Sequence, residues 1–152
     1  MKTLKNSMLF AVLTIMMIAF TGCGDKTALT PDQFKSKMES KGFTVQDATD
    51  QFEGKVDKVY IALNKNFQIE FYSVASKDQA LGAYNQNKRS FEDTKSAGST
   101  ETESNIGNNS KYTLNTNGKY KVVSRIDTTF IYINVPSTYK TEVNTLLKDL
   151  GY

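Results

Sequence analysis

Three consecutive runs near the C-terminus restrict this chain more than any other feature. Lys111 to Thr116 and Lys119 to Ile126 flank Asn117-Gly118, and Thr129 to Val135 follows Asp127-Thr128. An Asn-Gly pair supplies the two positive-φ residues of a type I′ turn, whose twist matches that of the strands it joins. The pair therefore predicts a two-residue hairpin. A second tight turn at Asp127-Thr128 then opposes Val122 to Ile133 and Tyr120 to Val135, which builds one apolar face. A meander with such a face needs other elements to cover it.

Helix signals supply them. Thr30-Pro31-Asp32-Gln33 is a capping box with proline at the first helical position. Leu29 and Phe34 have staple spacing, Phe34 and Met38 form a narrow stripe, and Gly42 is the expected stop. Ser76-Lys77-Asp78-Gln79 reads as a second box, opening a helix with Ala80, Ala83, Tyr84, Asn87 and Phe91 on one side and running out near Thr94. Ser137 reads as the cap of a third helix that carries Tyr139, Val143, Leu146, Leu147 and Leu150 and ends at Gly151. That stripe predicts a core element.

Between the first two helices, Phe43-Thr44-Val45 starts a short strand, and Val56 to Leu63 and Phe67 to Val74 form a hairpin. A three-residue loop, Asn64-Lys65-Asn66, pairs Leu63 with Phe67, Ile61 with Ile69 and Val59 with Phe71. A two-residue loop opposes Leu63 to Gln68 and Ile61 to Glu70 instead. Putting all six apolar side chains on one face favours the first register. Residues 96–110 are small and polar throughout, and they predict a mobile loop, because they bury too little to offset their ordering entropy. The resulting order is α-βββ-α-βββ-α. It defines an α+β domain over residues 30–152, a mainly antiparallel sheet with helices packed on the apolar face. The two halves share a plan offset by about 61 residues, as an internal duplication would, though too few residues match to establish one.

Composition narrows the chemistry. The 152 residues are 39% apolar and 23% charged, a globular balance. There is no His, no Trp and one Cys. A disulfide framework, a Cys/His zinc site, His-ligated haem and an imidazole base are thereby excluded, and no cofactor is expected. The charge of +3 comes from 19 basic and 16 acidic residues, but Lys2 and Lys5 lie in the first 22. The remainder carries 17 against 16, or +1, which is no footprint for nucleic acid.

The N-terminus carries an address. Lys2 and Lys5 precede Met8 to Phe20, 13 residues without a charge, and Thr21-Gly22-Cys23 follows. This is the order of a secretory signal, and the run is short of the roughly 20 apolar residues that a bilayer span needs. Phe20-Thr21-Gly22-Cys23 resembles the lipobox of bacterial lipoproteins, with Phe20 where Leu is usual. The resemblance implies removal of residues 1–22, a diacylglyceryl group on Cys23, residues 23–29 as a lipidated tether, and anchoring on the extracytoplasmic face of the cell membrane. Two acyl chains suffice for stable anchoring. From Thr30 to Tyr152 the chain is similar in general pattern to small uncharacterised lipoproteins of Gram-positive bacteria, a likeness with no activity to transfer.

Catalytic motifs are incomplete. Ser137-Thr138-Tyr139-Lys140 matches the Ser-x-x-Lys spacing of penicillin-binding proteins and class A β-lactamases, but neither Lys-Thr-Gly nor Ser-Asp-Asn occurs. Asp47, Asp50 and Glu53 cluster before Gly54 without the spacing of a calcium loop. Among 16 acidic residues, no spacing singles out a glycosidase pair. The strongest constellation is the sheet face opposite the core, where the chosen registers place Tyr60, Glu70, Tyr72, Tyr112, Val123, Arg125, Phe130 and Tyr132. Aromatics beside basic groups suit a surface that recognises an envelope protein, a peptide or a glycan. The other reading is that a helix or the 96–110 loop covers this face. Two function classes follow: a non-enzymatic, lipid-anchored binding domain with its candidate face at Tyr60, Tyr72, Tyr112, Arg125, Phe130 and Tyr132, or a small exported hydrolase using carboxylate or Tyr chemistry. Absence of His and of any complete motif favours the first.

Overall fold

The computed structural model describes residues 24–52 and 54–152, so the expected export signal over residues 1–22, the expected lipidation site Cys23 and Glu53 lie outside the described residues. The fold is α+β: seven strands form one antiparallel sheet, and three helices pack on it. The strands are β1 (Thr44–Asp47), β2 (Lys58–Leu63), β3 (Gln68–Ser73), β4 (Thr100–Ile106), β5 (Asn109–Thr116), β6 (Lys119–Ile126) and β7 (Thr129–Pro136). Their order across the sheet is β1-β2-β3-β7-β6-β5-β4. Each half is an up-and-down meander, and β3 joins them by pairing with β7.

The C-terminal meander has the register its turns dictate. Asn117 and Gly118 take φ of 49° and 71° between Thr116 and Lys119, and Val122 opposes Ile133 across the Asp127-Thr128 turn. The first hairpin takes the register that the apolar-face criterion rejects. Leu63 opposes Gln68 and Ile61 opposes Glu70. Local turn chemistry decides it: Asn64 Oδ1 accepts from the backbone N–H of Asn66 at 2.8 Å and of Phe67 at 2.9 Å, closing a tight turn at Lys65-Asn66. The criterion fails because both faces of this sheet are covered, so apolar side chains are wanted on each.

A second correction concerns residues 96–110. They hold a strand, β4, paired with β5 from Thr100 opposite Asn115 to Ile106 opposite Asn109. The order is therefore α-βββ-α-ββββ-α. Every β4 side chain is exposed, so backbone pairing holds the strand rather than burial. Side chains on its helix-facing side help, because Glu101 meets Lys95 and Glu103 meets Lys88.

Helices α1 (Pro31–Ser40) and α3 (Lys140–Leu150) lie on one face, and α2 (Lys77–Glu92) lies on the other. In α1 the capping box forms as expected, with Thr30 and Gln33 exchanging side-chain and backbone bonds. Phe34 stacks on Phe71 at 4.6 Å, and Val143, Leu146, Leu147 and Leu150 of α3 join the same core. Each such side chain contributes about 1.5–3 kcal/mol on burial. In α2, Ser76 Oγ accepts from the Gln79 N–H. Ser137 does not cap α3: it sits in a 3₁₀ turn, Ser137–Tyr139, and its hydroxyl donates to Asn115 Oδ1 at 2.6 Å. Gly151 ends α3 at φ 90°. A two-fold axis relating antiparallel β3 and β7 would stand perpendicular to the sheet and keep both leading helices on one face. Since α1 and α2 take opposite faces, the shared plan of the halves does not extend to a symmetric arrangement.

Candidate functional site

Alternation along the observed registers sorts the six candidate face residues. Tyr60 pairs with Phe71 and lies in the α1/α3 core, so it leaves the set, a direct consequence of the hairpin register. Tyr72, Tyr112, Arg125, Phe130 and Tyr132 share the opposite face. There α2 covers part of them. Tyr84 and Phe91 pack on Tyr112, Leu114 and Val123, and Tyr112 donates its hydroxyl hydrogen to Glu101. Arg125 is buried, with Nη2 donating to Ser110 Oγ at 3.2 Å and Nη1 to the Asp127 carbonyl at 3.4 Å. Tyr112 and Arg125 are thus structural, and the expected broad aromatic surface reduces to a strip over β3 and β7.

That strip floors a groove of about 850 Å³ between the sheet, the first half of α2 and the 52–56 segment. Tyr72 and Phe130 stack at 4.5 Å with their planes 5° apart, and Phe52 meets Tyr72 edge-on at 5.4 Å. Tyr132 and Glu70 continue the floor, while Gln79, Gly82, Ala83, Gln86 and Asn87 form the α2 wall. The wall explains why the groove stays open: the α2 residues facing it are small or carry amides, whereas large apolar side chains there would pack onto Tyr72 and close it. Gly82 would have nothing within 4 Å of an added Cβ.

The polar chemistry of the floor is specific. Tyr72 Oη donates to Glu70 Oε2 at 2.6 Å, and Gln68 Nε2 donates to Glu70 Oε1 at 3.1 Å. Burial and the adjacent Glu70 carboxylate push the Tyr72 phenol far above its ordinary value, and burial raises that of Tyr132. Tyr72 is therefore a fixed hydrogen-bond donor at neutral pH, with no phenolate to act as base or nucleophile. Glu70 is the one carboxylate among the described groove residues, whereas glycoside hydrolysis in its usual form needs two.

The other sequence candidates come apart. Ser137 is engaged with Asn115, while the Lys140 ammonium sits 5.5 Å over the Tyr120 ring, so the pair forms no Ser–Lys dyad. Asp47 accepts from the Thr49 hydroxyl, from Lys58 Nζ at 2.9 Å and from the Thr49 N–H at 2.9 Å, contacts that hold its carboxyl well below the usual range. It fastens a turn. Among the described residues no group of three or more His, Cys, Asp or Glu could hold a metal, and no helix is long and apolar enough to cross a membrane. Sequence reasoning missed the α2 wall. Its signal is present at Gln79, Gly82, Ala83 and Gln86, spaced i, i+3, i+4 and i+7, a helical stripe of small and amide residues beside the apolar one. No protein-family model, curated protein or solved structure matches the chain.

Proposed function

We propose that this protein is a lipid-anchored extracytoplasmic domain that binds a polar ligand with flat apolar surfaces, an envelope peptide or glycan, in the α2 groove. The address rests on the leader and on Cys23 placed directly after Gly22. The groove carries the binding reading: aromatic rings, a carboxylate and three side-chain amides converge on a strip that α2 covers only in part, through Ala80 and Ala83 at Phe130 and Tyr72 and through Phe91 at Tyr132. Concave sites mixing aromatic walls with a few oriented polar groups are the usual form of ligand pockets. Binding rather than hydrolysis fits a floor whose Tyr is locked as a donor onto its Glu.

The test alters the groove from both its wall and its floor. Gly82→Leu places an isobutyl group on the α2 wall of the groove, and Tyr132→Ala removes part of the floor. Sedimentation of the purified protein with isolated cell-wall material, before and after protease or glycosidase treatment of that material, reads binding and the ligand class together. Wild-type protein should co-sediment and both variants should lose at least tenfold in affinity, about 1.4 kcal/mol. Equal retention of Gly82→Leu, folded by circular dichroism, would remove the groove from the function.

A further inference from the structure

Ile106 at the tip of the β4–β5 hairpin is 54% exposed, more than any other large apolar side chain among the described residues. One such residue means little alone. Its neighbour gives it meaning, because the start of the described chain is fastened to this tip. The Lys26 N–H donates to Asn108 Oδ1 at 2.8 Å and Asn108 Nδ2 returns a bond to the Lys26 carbonyl at 2.7 Å. Asn108 N–H donates to Asp25 Oδ1 at 3.2 Å, and Asn109 Nδ2 donates to the Gly24 carbonyl at 2.8 Å. The fit is close enough that a Cβ on Gly24 would lie 3.2 Å from Ile106 Cγ2, and one on Gly107 would lie 2.3 Å from Asp25 Oδ1. Residues 24–29 are therefore docked, and Ala28 and Leu29 carry the chain on into the main core.

Cys23 is one peptide unit from Gly24, about 3.8 Å between Cα atoms. Whatever anchors at Cys23 holds the hairpin tip within a few ångströms of it. Lys111 shares the Ile106 side of β5 and β4, and Lys26 stands close enough to help lower its pKa, with burial the larger cause. The carboxylates of this corner are Asp25, bonded to Asn108, and Asp127, paired with Lys77 at 2.7 Å. Two lysines on this corner beside an exposed isoleucine suit lipid phosphate, and the isoleucine suits the acyl boundary just beneath it.

We propose that the β4–β5 tip is the membrane-contacting foot of the domain, with Ile106 entering the interface of an anionic bilayer and Lys26 and Lys111 meeting its headgroups. The proposal rests on the reading that Cys23 is lipidated. It fixes an orientation: the Lys65-Asn66 and Asn117-Gly118 turns, at the other end of the strands, point away from the bilayer.

The absence of tryptophan makes the test clean. Ile106→Trp and, as a control at the far end, Asn66→Trp each introduce a single emitting indole into the full-length protein. Each variant is extracted from membranes and reconstituted in phosphatidylglycerol vesicles with and without brominated acyl chains, and the same sample is analysed by mass spectrometry. The indole at position 106 should shift to shorter wavelength and lose most of its emission to the brominated lipid, while that at 66 stays water-like. An acylated Cys23 with both indoles unquenched, or both quenched alike, overturns the foot and leaves the anchor standing. An unacylated Cys23 overturns both.

Discussion

Two helices close one face of the sheet, and a single helix serves the other. Strands about 4.8 Å apart make a seven-stranded sheet roughly 30 Å wide, and a helix covers about 10 Å of it. On the first face, α1 lies over β1 to β3, and α3 extends the same core to Ile133 and Val135 of β7 and Tyr120 and Val122 of β6. On the second, α2 packs on β5, β6 and β7, and over β3 its small residues and the 52–56 segment leave a groove. Adjacent residues of one strand thus enter different environments. The comparison teaches that an incompletely roofed sheet face is where a small α+β domain has room for a ligand, and that the apolar residues there are not all core.

Phe71 and Tyr72 test this most directly, as neighbours pointing to opposite faces. Phe71→Ala empties a fully buried site stacked on Phe34 and should cost about 3–5 kcal/mol in a denaturant melt, with Leu146→Ala on the same face costing about 2–5. Tyr72→Ala removes its stacking on Phe130, its edge contact with Phe52 and its bond to Glu70, and should cost less, about 1–3 kcal/mol. Equal losses from Phe71→Ala and Tyr72→Ala would mean that both faces are sealed.

High pH sharpens the same contrast. Burial pushes the Tyr152 phenol, against Thr129 in the first face, up to about 12, and burial raises those of Tyr72 and Tyr84 on the second. A raised folded-state value favours the neutral form. The stability it contributes is complete below the ordinary tyrosine value near 10 and is lost as pH rises from there, at about 1.4 kcal/mol per unit of difference. Tyrosinate absorbance and circular dichroism followed from pH 9 upward, the range that brackets the ordinary value, should change together. Tyr152→Phe should flatten the stability decline between pH 10 and about 12. An unchanged slope in that variant would show that Tyr152 ionises without unfolding the core.

Gly82→Ala probes the groove wall. A Cβ there meets nothing within 4 Å, and alanine is the better helix former, so stability should rise by about 0.5–1 kcal/mol. A loss instead would mean that the groove is narrower than its lining indicates. The smallest effect concerns the edge of the second face. A double-mutant cycle on Lys88 and Glu103, a partly exposed pair at 2.6 Å, should give a coupling below about 1 kcal/mol. A larger value would make that pair, rather than backbone pairing, the support of β4.

The sequence was legible where a local signal needed no knowledge of distant parts. The Thr30-Gln33 capping box, the Asn117-Gly118 turn and the α3 stripe are of that kind, and each forms as read apart from the start of α3. There Ser137 has a competing partner in Asn115, contributed by another strand. Strand β4 was illegible because an edge strand whose residues are exposed on both sides and polar up to its tip has no apolar period to detect. Tyr60 was misplaced because its side depends on the Asn64 turn, where one bonded amide outweighs a pattern of six apolar side chains. The groove was half legible. Tyr72, Phe130 and Tyr132 fall on the right face, and a covering helix is one of the two readings, but the length of sheet that α2 leaves bare depends on the strand order.

Strand β4 also bears on how copies of this protein would coexist. Under the proposed lipid anchoring, molecules tethered in a plane and standing the same way up present their edges to one another continually, at an effective concentration that free proteins in solution seldom reach. An open edge of apolar residues would invite copies to zip together into extended sheets. Here the exposed edge alternates threonine and serine with Glu101 and Glu103, and its one apolar residue, Ile106, lies at the tip. Two copies approaching along it meet polar and charged side chains rather than an apolar stripe. The strand least visible in the sequence is the one suited to keep a crowded surface from becoming a fibre.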